Sequence, residues 1–306
     1  MLSAEALTEV VASTTAPLLY HGVSDHVPHA QSTEIYDAGN KLAFLLVTFN
    51  VLNPAYMYYQ NGVPPPGMEL PPWLKMEDQA GLEYIPASNP KRQNERLAII
   101  ASAIKSLFRE HRSVVCCIQE CGSALYSEIA EFAGELGVAI FTGSAPADTN
   151  YCVTLVSNSL KWNVVDCSKK SISVELPDGR AVVHNVHMEF NTAATMDMIK
   201  HCFQLSNGKH CIVAGDFNVQ TKPLSKAVLE EGICTATLTE LCNALQATTA
   251  VKPLFALHPQ KWTNWNVRKN CADRASNWDH FDNIMLMSSE PTSVKMTAVD
   301  FPVTMM

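Results

Sequence analysis

Short apolar runs that end in a polar residue recur along the chain, and this pattern is typical of buried β-strands. Residues 41–50 read KLAFLLVTFN, a run rich in β-forming side chains that ends at Asn50. Continuous apolar runs bounded by polar or turn residues indicate strands that are covered on both faces. The same pattern predicts strands at residues 114–118, 138–142, 151–156, 172–176, 181–187, 209–214, 283–287 and 293–303.

Apolar residues at helical spacing predict helices between several of these strands. From Pro90 onwards, Leu97, Ile100, Ala101 and Ile104 recur at intervals that place them on one face of a helix. The same periodicity predicts helices at residues 123–136, 195–206, 224–231 and 237–246.

The order of these elements predicts the fold class. Strands and helices intermix, and several strands adjoin one another in the middle of the chain, so we expect an α/β (α+β) protein with two packed sheets flanked by helices. A Pro-rich insertion at residues 54–90 disfavours regular structure and predicts a long loop or lid, and long loops in compact domains are usually functional or mobile. The charge pattern offers no linker, so we expect a single domain over residues 1–306.

The composition is that of a globular protein. Hydrophobic residues make up 47% of the 306 residues, charged residues 17%, and the net charge is −8. This charge argues against a protein that coats duplex nucleic acid, although a bound cation can supply positive charge locally. The ten cysteines form no CxxC pair, which favours reduced thiols over a zinc site. We find no signal peptide and no apolar run that could span a membrane, and we expect a cytoplasmic protein.

The polar residues at the ends of the predicted strands are the candidate chemistry. Asn50, Glu120, His187 and Asp216 each follow an apolar run, and rigid strands can direct such groups into one cleft. Mg²⁺ prefers carboxylate and water ligands. It keeps coordination positions open for phosphate oxygens. Each short motif alone is weak, because strand-to-loop transitions often contain such residues.

Taken together, the motifs are far more specific. The chain reads SDHVP at residues 24–28, VTFN at 47–50, CIQE at 117–120, NVHM at 185–188, GDFN at 215–218, TNW at 263–265 and FDNI at 281–284. This set resembles the signature of the endonuclease/exonuclease/phosphatase superfamily, the DNase I-like metal-dependent phosphoesterases. The resemblance implies a four-layer αββα sandwich of two mixed sheets.

The position of SDHVP departs from the family order, because SDHxP normally comes last and here it comes first. We interpret this as a circular permutation with all catalytic parts present. A competing alignment lays residues 298–303 over the SDHxPV pattern. It puts Asp300 where the histidine should be and predicts a weakened or silent enzyme.

The resemblance implies a role for each strand-end residue. Glu120 would be the principal ligand of Mg²⁺, with Mn²⁺ as an alternative ion, and Asn50 would bind near the metal. Asp216 would orient or deprotonate the attacking water. Asn218 would contact the scissile phosphate, and His187 would donate a hydrogen bond to it.

Three further residues complete the implied catalytic set. An aspartate beside a histidine can fix its tautomer, as Asp25 would for His26. His26 would stabilise the phosphoryl transition state or act as a base, and the motif leaves both roles open. Asp282 would support a catalytic histidine or the metal, although FDNI has Asn283 where the family usually has an aromatic residue.

Several segments resemble the deadenylase/nocturnin branch of the superfamily, including TFNVLN and the helix start around Arg96. That branch implies substrate contacts for Asn264, Trp265 and Arg96, and a single-stranded RNA or nucleotide as substrate. We expect a metal-dependent phosphoesterase with a ribonuclease/deadenylase-like or nucleotide phosphatase activity. The alternatives are a catalytically silent scaffold that binds proteins and an inositol or lipid phosphatase. The sequence VQT after GDFN disfavours the inositol branch, and the oligomeric state is open.

Overall fold

The predicted strands and helices form in most of the chain. The computed structural model describes residues 26, 28–37, 39–51, 90–143, 151–189, 192–219, 238–256, 264–265, 278–279 and 282–299. In these ranges the strands are β1 (His29–Asp37), β2 (Asn40–Asn50), β3 (Val114–Cys121), β4 (Val138–Thr142), β5 (Tyr151–Ser157), β6 (Asn163–Cys167), β7 (Ser171–Glu175), β8 (Ala181–His187), β9 (His210–Asp216), β10 (Leu254–Phe255), β11 (Asn264–Trp265), β12 (Trp278–Asp279), β13 (Asp282–Met287) and β14 (Val294–Val299). The helices are α1 (Pro90–Glu110), α2 (Ser123–Leu136), α3 (Thr192–Ser206) and α4 (Leu238–Thr249).

Twelve of these strands form two mixed sheets of six strands each. The first sheet has the order β14-β1-β2-β3-β5-β4, and the second has the order β10-β13-β9-β8-β7-β6. Each sheet has one parallel pair at its centre, β2 with β3 and β8 with β9. The other neighbouring strands in both sheets are antiparallel. The short strands β11 and β12 pair with each other.

Three hydrophobic cores separate the layers, which confirms the predicted sandwich of two mixed sheets flanked by helices. Side chains alternate between the two faces of a strand. Leu45 and Val47 therefore pack with α1 and α2 on the outer face of the first sheet, whereas Leu46 packs between the sheets. On β9, Ile212 faces the inter-sheet core and Val213 packs with α3 and α4.

The main difference from the sequence-based prediction is β1, which the hydrophobic pattern did not indicate. Its inward-facing positions include Gln31 and Thr33, both fully buried, so a polar sequence fills a buried strand. The edge strand β6 was missed as well, because its residues are largely exposed. The predicted helix at 224–231 and nearly all of the insertion at 54–90 lie outside the described residues. No helix in the described ranges is long and apolar enough to cross a membrane.

A buried histidine helps to hold α3 against the second sheet. His184 on β8 accepts a hydrogen bond at Nδ1 from the Ser173 hydroxyl (2.8 Å) and donates from Nε2 to the Ser206 hydroxyl (2.9 Å). Ser206 in turn donates to the Cys202 carbonyl at 3.0 Å. In this arrangement both ring nitrogens of a neutral imidazole have a hydrogen-bond partner, one as acceptor and one as donor. Burial, with a smaller effect of His201, lowers the pKa of His184 from 6.5 to about 3.

The neutral His184 predicts a loss of stability in acid. The unfolded chain takes up a proton at this residue below pH 6.5, and the folded protein does so only near pH 3. The contribution of His184 is therefore complete above pH 6.5 and is lost as the pH falls, by up to about 1.4 kcal/mol per pH unit. We expect His184→Gln to be less stable than the parent at pH 7 and to show a shallower decline in the free energy of unfolding between pH 6.5 and 4. Parallel curves in urea titrations would contradict this.

Candidate active site

One end of the sandwich collects the polar strand ends. The parallel strands β2, β3, β8 and β9 deliver their carboxyl ends there, where Asn50, Glu120, His187 and Asp216 lie. The antiparallel strand β13 delivers its amino end to the same edge, so Asp282 pairs in register with Asp216. The four central strands thus converge on one place, as predicted from their sequence pattern.

A side-chain amide joins the two acidic residues at this end. Asn50 Nδ2 donates to Glu120 Oε1 at 3.0 Å and to Asp216 Oδ2 at 2.9 Å. Glu120 belongs to the first sheet and Asp216 to the second, so this amide bridges both sheets and both carboxylates. All three side chains are buried. Asn50 therefore holds two acidic groups together that would otherwise repel each other.

An unusual backbone conformation directs the Glu120 side chain. Glu120 has a positive φ of 57°, and the pairing of β3 with β5 shifts register between Ile118 and Cys121. A β-bulge adds a residue to one strand and changes the direction in which its side chains point. A non-glycine residue at positive φ costs free energy, and such strain is concentrated at functional sites. The bulge therefore explains how a residue of a buried strand reaches the cleft.

Asp216 is fixed at both carboxylate oxygens. Oδ2 accepts from Asn50, and Oδ1 accepts from the backbone N–H of Asn218 at 2.9 Å. Asn218 has a positive φ of 48°, and its Nδ2 donates to the Met188 carbonyl at 2.7 Å. The preceding Gly215 permits this approach. A Cβ at that position would lie 1.9 Å from the Val186 carbonyl oxygen of the adjacent strand β8.

His26 reaches the same cluster from the amino-terminal part of the chain. Its Nδ1 lies 2.6 Å from Asp282 Oδ2, and its Nε2 lies 3.9 Å from Asp216 Oδ2. The circular permutation requires His26 to lie in the same cleft as Asp216, and a wide separation of the two would have contradicted it. The two side chains are 3.9 Å apart, and the permutation itself stays a proposal. Asp25 and Asp300 lie outside the described residues, so the predicted role of Asp25 and the competing alignment through Asp300 stay untested.

His187 faces the two metal-binding candidates. Its Nε2 lies 3.7 Å from Glu120 Oε1 and 3.8 Å from Asp216 Oδ2. Burial lowers the pKa of His187 to about 3, with smaller contributions from the positive charge of Lys170 and from His26. The imidazole is therefore neutral, and it can donate one hydrogen bond without adding a charge.

Glu120, His187 and Asp216 can hold a metal ion, since one ligand atom from each lies within 4.8 Å of the others. Burial and, to a smaller extent, Asp282 raise the pKa of Asp216, whereas His26, Asn50 and the Asn218 N–H lower it, and the net result is a pKa of about 7. More positive charge nearby would be needed to offset the burial of this carboxylate. A divalent cation would provide that charge, so the donor set fits such an ion.

A second set of amides ties the sheets together directly beneath the cluster. Gln119 Nε2 donates to Asn185 Oδ1 at 2.7 Å and to Thr48 Oγ1 at 3.1 Å. Asn185 Nδ2 donates to the Val153 carbonyl at 2.9 Å and to the Ile118 carbonyl at 3.2 Å. Gln119 and Asn185 occur within the CIQE and NVHM motifs. The motif resemblance implies no role for either residue, and their position next to Glu120 and His187 in the sequence is the signal that points to them.

The substrate contacts implied for Arg96, Asn264 and Trp265 stay a prediction. Arg96 is fully buried, and its guanidinium donates to the Val51 carbonyl at the end of β2. This favours a positioning role for Arg96 over contact with a substrate. Asn264 and Trp265 form β11, which pairs with β12. Their side chains lie outside the described part, and their role stays a prediction.

Comparison with solved structures finds proteins of similar fold at low sequence identity. The chain is similar to TDP2 from Caenorhabditis elegans (14% identity, TM-score 0.40), with 66% of this chain and 61% of that chain covered. It is similar to an AP endonuclease from Archaeoglobus fulgidus (15% identity, TM-score 0.40), with 65% and 83% covered. It is also similar to the human nocturnin catalytic domain (13% identity, TM-score 0.39), with 63% and 74% covered.

The chain thus spans less than two thirds of the C. elegans TDP2 chain. No family model matches the sequence, and no curated protein matches it.

The amides between the sheets predict a large stability effect at Asn185. We expect Asn185→Leu to lower the free energy of unfolding by about 2–4 kcal/mol, because each buried partner left unsatisfied costs about 1–3 kcal/mol. Urea denaturation monitored by circular dichroism would measure it. Asn243→Leu on the exposed face of α4 is the control, expected within about 0.5 kcal/mol of the parent. Equal stability of the two variants would contradict a structural role for Asn185.

Proposed function

We propose that the protein is a metal-dependent phosphoesterase whose reaction centre is the cluster around Glu120 and Asp216. One observation supports this above the others: two buried carboxylates from separate sheets share a single amide donor, with two imidazoles within 4 Å. A purely structural core has no need for paired buried acids, which cost free energy without compensating charge. The motif resemblance points to the same chemistry.

Glu120 is the proposed principal ligand of a divalent cation, with Asn50 and Asp216 beside it. Carboxylate and amide oxygens favour Mg²⁺ or Mn²⁺ over softer ions. When bound, such a cation supplies positive charge to the phosphoryl oxygens, where negative charge builds up during hydrolysis. The two hydrogen bonds from Asn50 keep both carboxylates in position before substrate arrives.

Asp216 is the proposed acceptor for the proton of the attacking water. Its two oxygens are held by Asn50 and by the Asn218 N–H, so its orientation is set without a substrate. General bases act through such fixed positions within hydrogen-bond reach of the proton that moves. The Asn218 side chain donates to the Met188 carbonyl. Its proposed contact with the scissile phosphate requires this hydrogen bond to be replaced by one to the phosphate.

His26 and His187 are the proposed hydrogen-bond donors to the phosphoryl group. Asp282 accepts a hydrogen bond from His26 Nδ1 and would stabilise the imidazolium form, as a carboxylate does for a catalytic histidine. His187 is neutral in its buried position and would donate from Nε2. In this assignment His26 would bring positive charge to the phosphoryl group, and His187 would orient that group through one hydrogen bond.

The substrate class is the finer part of the proposal. The resemblance to the deadenylase/nocturnin branch favours single-stranded RNA or a nucleotide, and the net charge of −8 argues against broad binding to duplex DNA. The competing function is a silent scaffold that binds proteins. A panel of poly(A), single-stranded DNA, NADPH and inositol phosphates with Mg²⁺ or Mn²⁺ separates the two. Silence on every substrate, with no metal bound, would favour the scaffold.

Removal of the principal carboxylate tests the metal centre. We expect Glu120→Gln to lower kcat by at least about 10³-fold, in the upper range for loss of one key electrostatic group, and to weaken Mn²⁺ binding seen by electron paramagnetic resonance. The control is Glu131→Gln, an exposed glutamate on α2, which should keep both activity and Mn²⁺ binding. A Glu120→Gln protein that is folded, binds Mn²⁺ normally and remains active would overturn the site.

Replacement of the amino-terminal histidine tests the permuted arrangement. We expect His26→Gln to lower kcat/KM by about 10²–10⁴-fold, the range for loss of a positioned acid or base, with a far-ultraviolet circular dichroism spectrum like that of the parent. His201→Gln replaces a histidine that is 54% exposed, and it should act like the parent. Activity of His26→Gln equal to that of the control would remove His26 from the mechanism.

A further inference from the structure

The side-chain amide of Asn50 contacts the two carboxylate oxygens on which the candidate metal ligands converge. Its Nδ2 donates to Glu120 Oε1 at 3.0 Å and to Asp216 Oδ2 at 2.9 Å. The same two oxygens lie 3.7 Å and 3.8 Å from Nε2 of His187, the third member of the candidate metal-binding group. A single NH2 group therefore holds the oxygens that a cation would use.

The NH2 group and a cation compete for these oxygens. The two amide hydrogens carry partial positive charge, and hydrogen bonds to ionised carboxylates are stronger than those between neutral groups. A divalent cation on the same oxygens is repelled by the amide hydrogens. It attracts the oxygen at the other end of the amide, because a side-chain carbonyl oxygen is a ligand that hard cations accept.

The shape of an amide allows it to change ends without a shift of the backbone. Asn50 is fully buried and is the last residue of β2, which lies between β1 and β3 in the first sheet. The oxygen and the NH2 group of an asparagine side chain are nearly identical in size. A half-turn about the Cβ–Cγ bond therefore exchanges them within the same volume, and rotation about such a bond has two broad minima.

We propose that the Asn50 amide is an exchangeable substitute for the cation. In the absence of an ion its NH2 group holds Glu120 and Asp216, and when an ion binds the amide turns over so that Oδ1 faces the metal. The inference rests on the metal centre of the proposed function and adds a conformational step to it. Asn50 is thus a positioning residue, with a donor that joins the sheets and an acceptor that receives the ion.

The variant Asn50→Asp separates the two ends of the amide, because an ionised carboxylate accepts as Oδ1 does but cannot donate as Nδ2 does. At pH 8 in EDTA we expect its Tm to fall by at least about 5 °C, since two charge-assisted bonds are replaced by a third negative charge. In saturating Mn²⁺ we expect a Tm equal to that of the parent or higher. The Kd for Mn²⁺, measured by electron paramagnetic resonance, should therefore fall about tenfold or more.

Two further variants serve as controls. Asn243→Asp makes the same substitution on the exposed face of α4, and it should match the parent in EDTA and in Mn²⁺. Asn50→Leu has neither end of the amide and should have a lower Tm than the parent under both conditions. Equal Tm values of Asn50→Leu and the parent in Mn²⁺ would overturn the contact between Oδ1 and the ion.

Two outcomes for Asn50→Asp would overturn the inference. A Tm loss of the same size in EDTA and in Mn²⁺ would mean that the amide donates in both states. A Tm equal to that of the parent in EDTA would mean that its two hydrogen bonds do not hold the carboxylates. A variant that is unfolded in EDTA and folds on addition of Mn²⁺ would support the inference.

Nuclear magnetic resonance of the parent protein tests the turn of the amide without any variant. Couplings across the hydrogen bonds from Asn50 Nδ2 to the carboxylate carbons of Glu120 and Asp216 should be present in EDTA and vanish in saturating Mg²⁺. The coupling from Asn185 Nδ2 to the Val153 carbonyl, a bond of 2.9 Å beneath the cluster, should persist in both. Asn50 couplings that persist with Mg²⁺ bound would overturn the inference.

None of these measurements needs a substrate, so the two proposals can fail separately. A parent that binds Mn²⁺ and shows the exchange, yet hydrolyses nothing, would remove the phosphoesterase and retain the exchange. An active parent whose Asn50 couplings are the same in EDTA and in Mg²⁺ would remove the exchange alone. A parent that binds neither Mg²⁺ nor Mn²⁺ would overturn both.

Discussion

The placement of two buried carboxylates from different sheets side by side is the constraint on which the site depends. Each loses its hydration and each repels the other, so the fold must compensate for both effects. The Asn50 amide donates one hydrogen bond to Glu120 and one to Asp216. Because an amide is neutral, the negative charge of the two carboxylates still needs a positive charge between them. The same excess of negative charge that would destabilise an ordinary core makes this cluster suitable for a cation.

The topology explains why this cluster can form at all. A parallel pair at the centre of each sheet puts two carboxyl ends at one edge, and antiparallel neighbours add amino ends there. Packing between the sheets brings the two edges together, and the amides of Gln119 and Asn185 fix them against each other. Backbone details then direct the side chains, through the bulge at Glu120 and the close approach at Gly215. Long-range packing thus sets the position of the cluster, and local backbone geometry sets its orientation.

The sequence pattern was sufficient for the sheets, the helices and most of the cluster, since apolar strands ending in polar residues are readable from residue types alone. It was insufficient at positions where a polar residue is buried. Gln31 and Thr33 are polar yet buried in β1, and no periodicity rule identifies such a strand. Arg96 is a charged residue that is fully buried, and its contact with the Val51 carbonyl depends on the packing of α1 against the end of β2, which no local pattern shows. The turn at residues 168–170 has no apolar pattern, and its position beside His187 arises from the pairing of β7 with β8.

The contact between His26 and Asp282 is set by strand direction, as are the other bonds between the sheets. His26 precedes β1 of the first sheet, and Asp282 begins β13 of the second. Both strands run antiparallel to a central strand, so both deliver their amino ends to the cluster. Chain order does not enter this condition: a strand in that position and direction brings its first residues to the site wherever it occurs in the sequence.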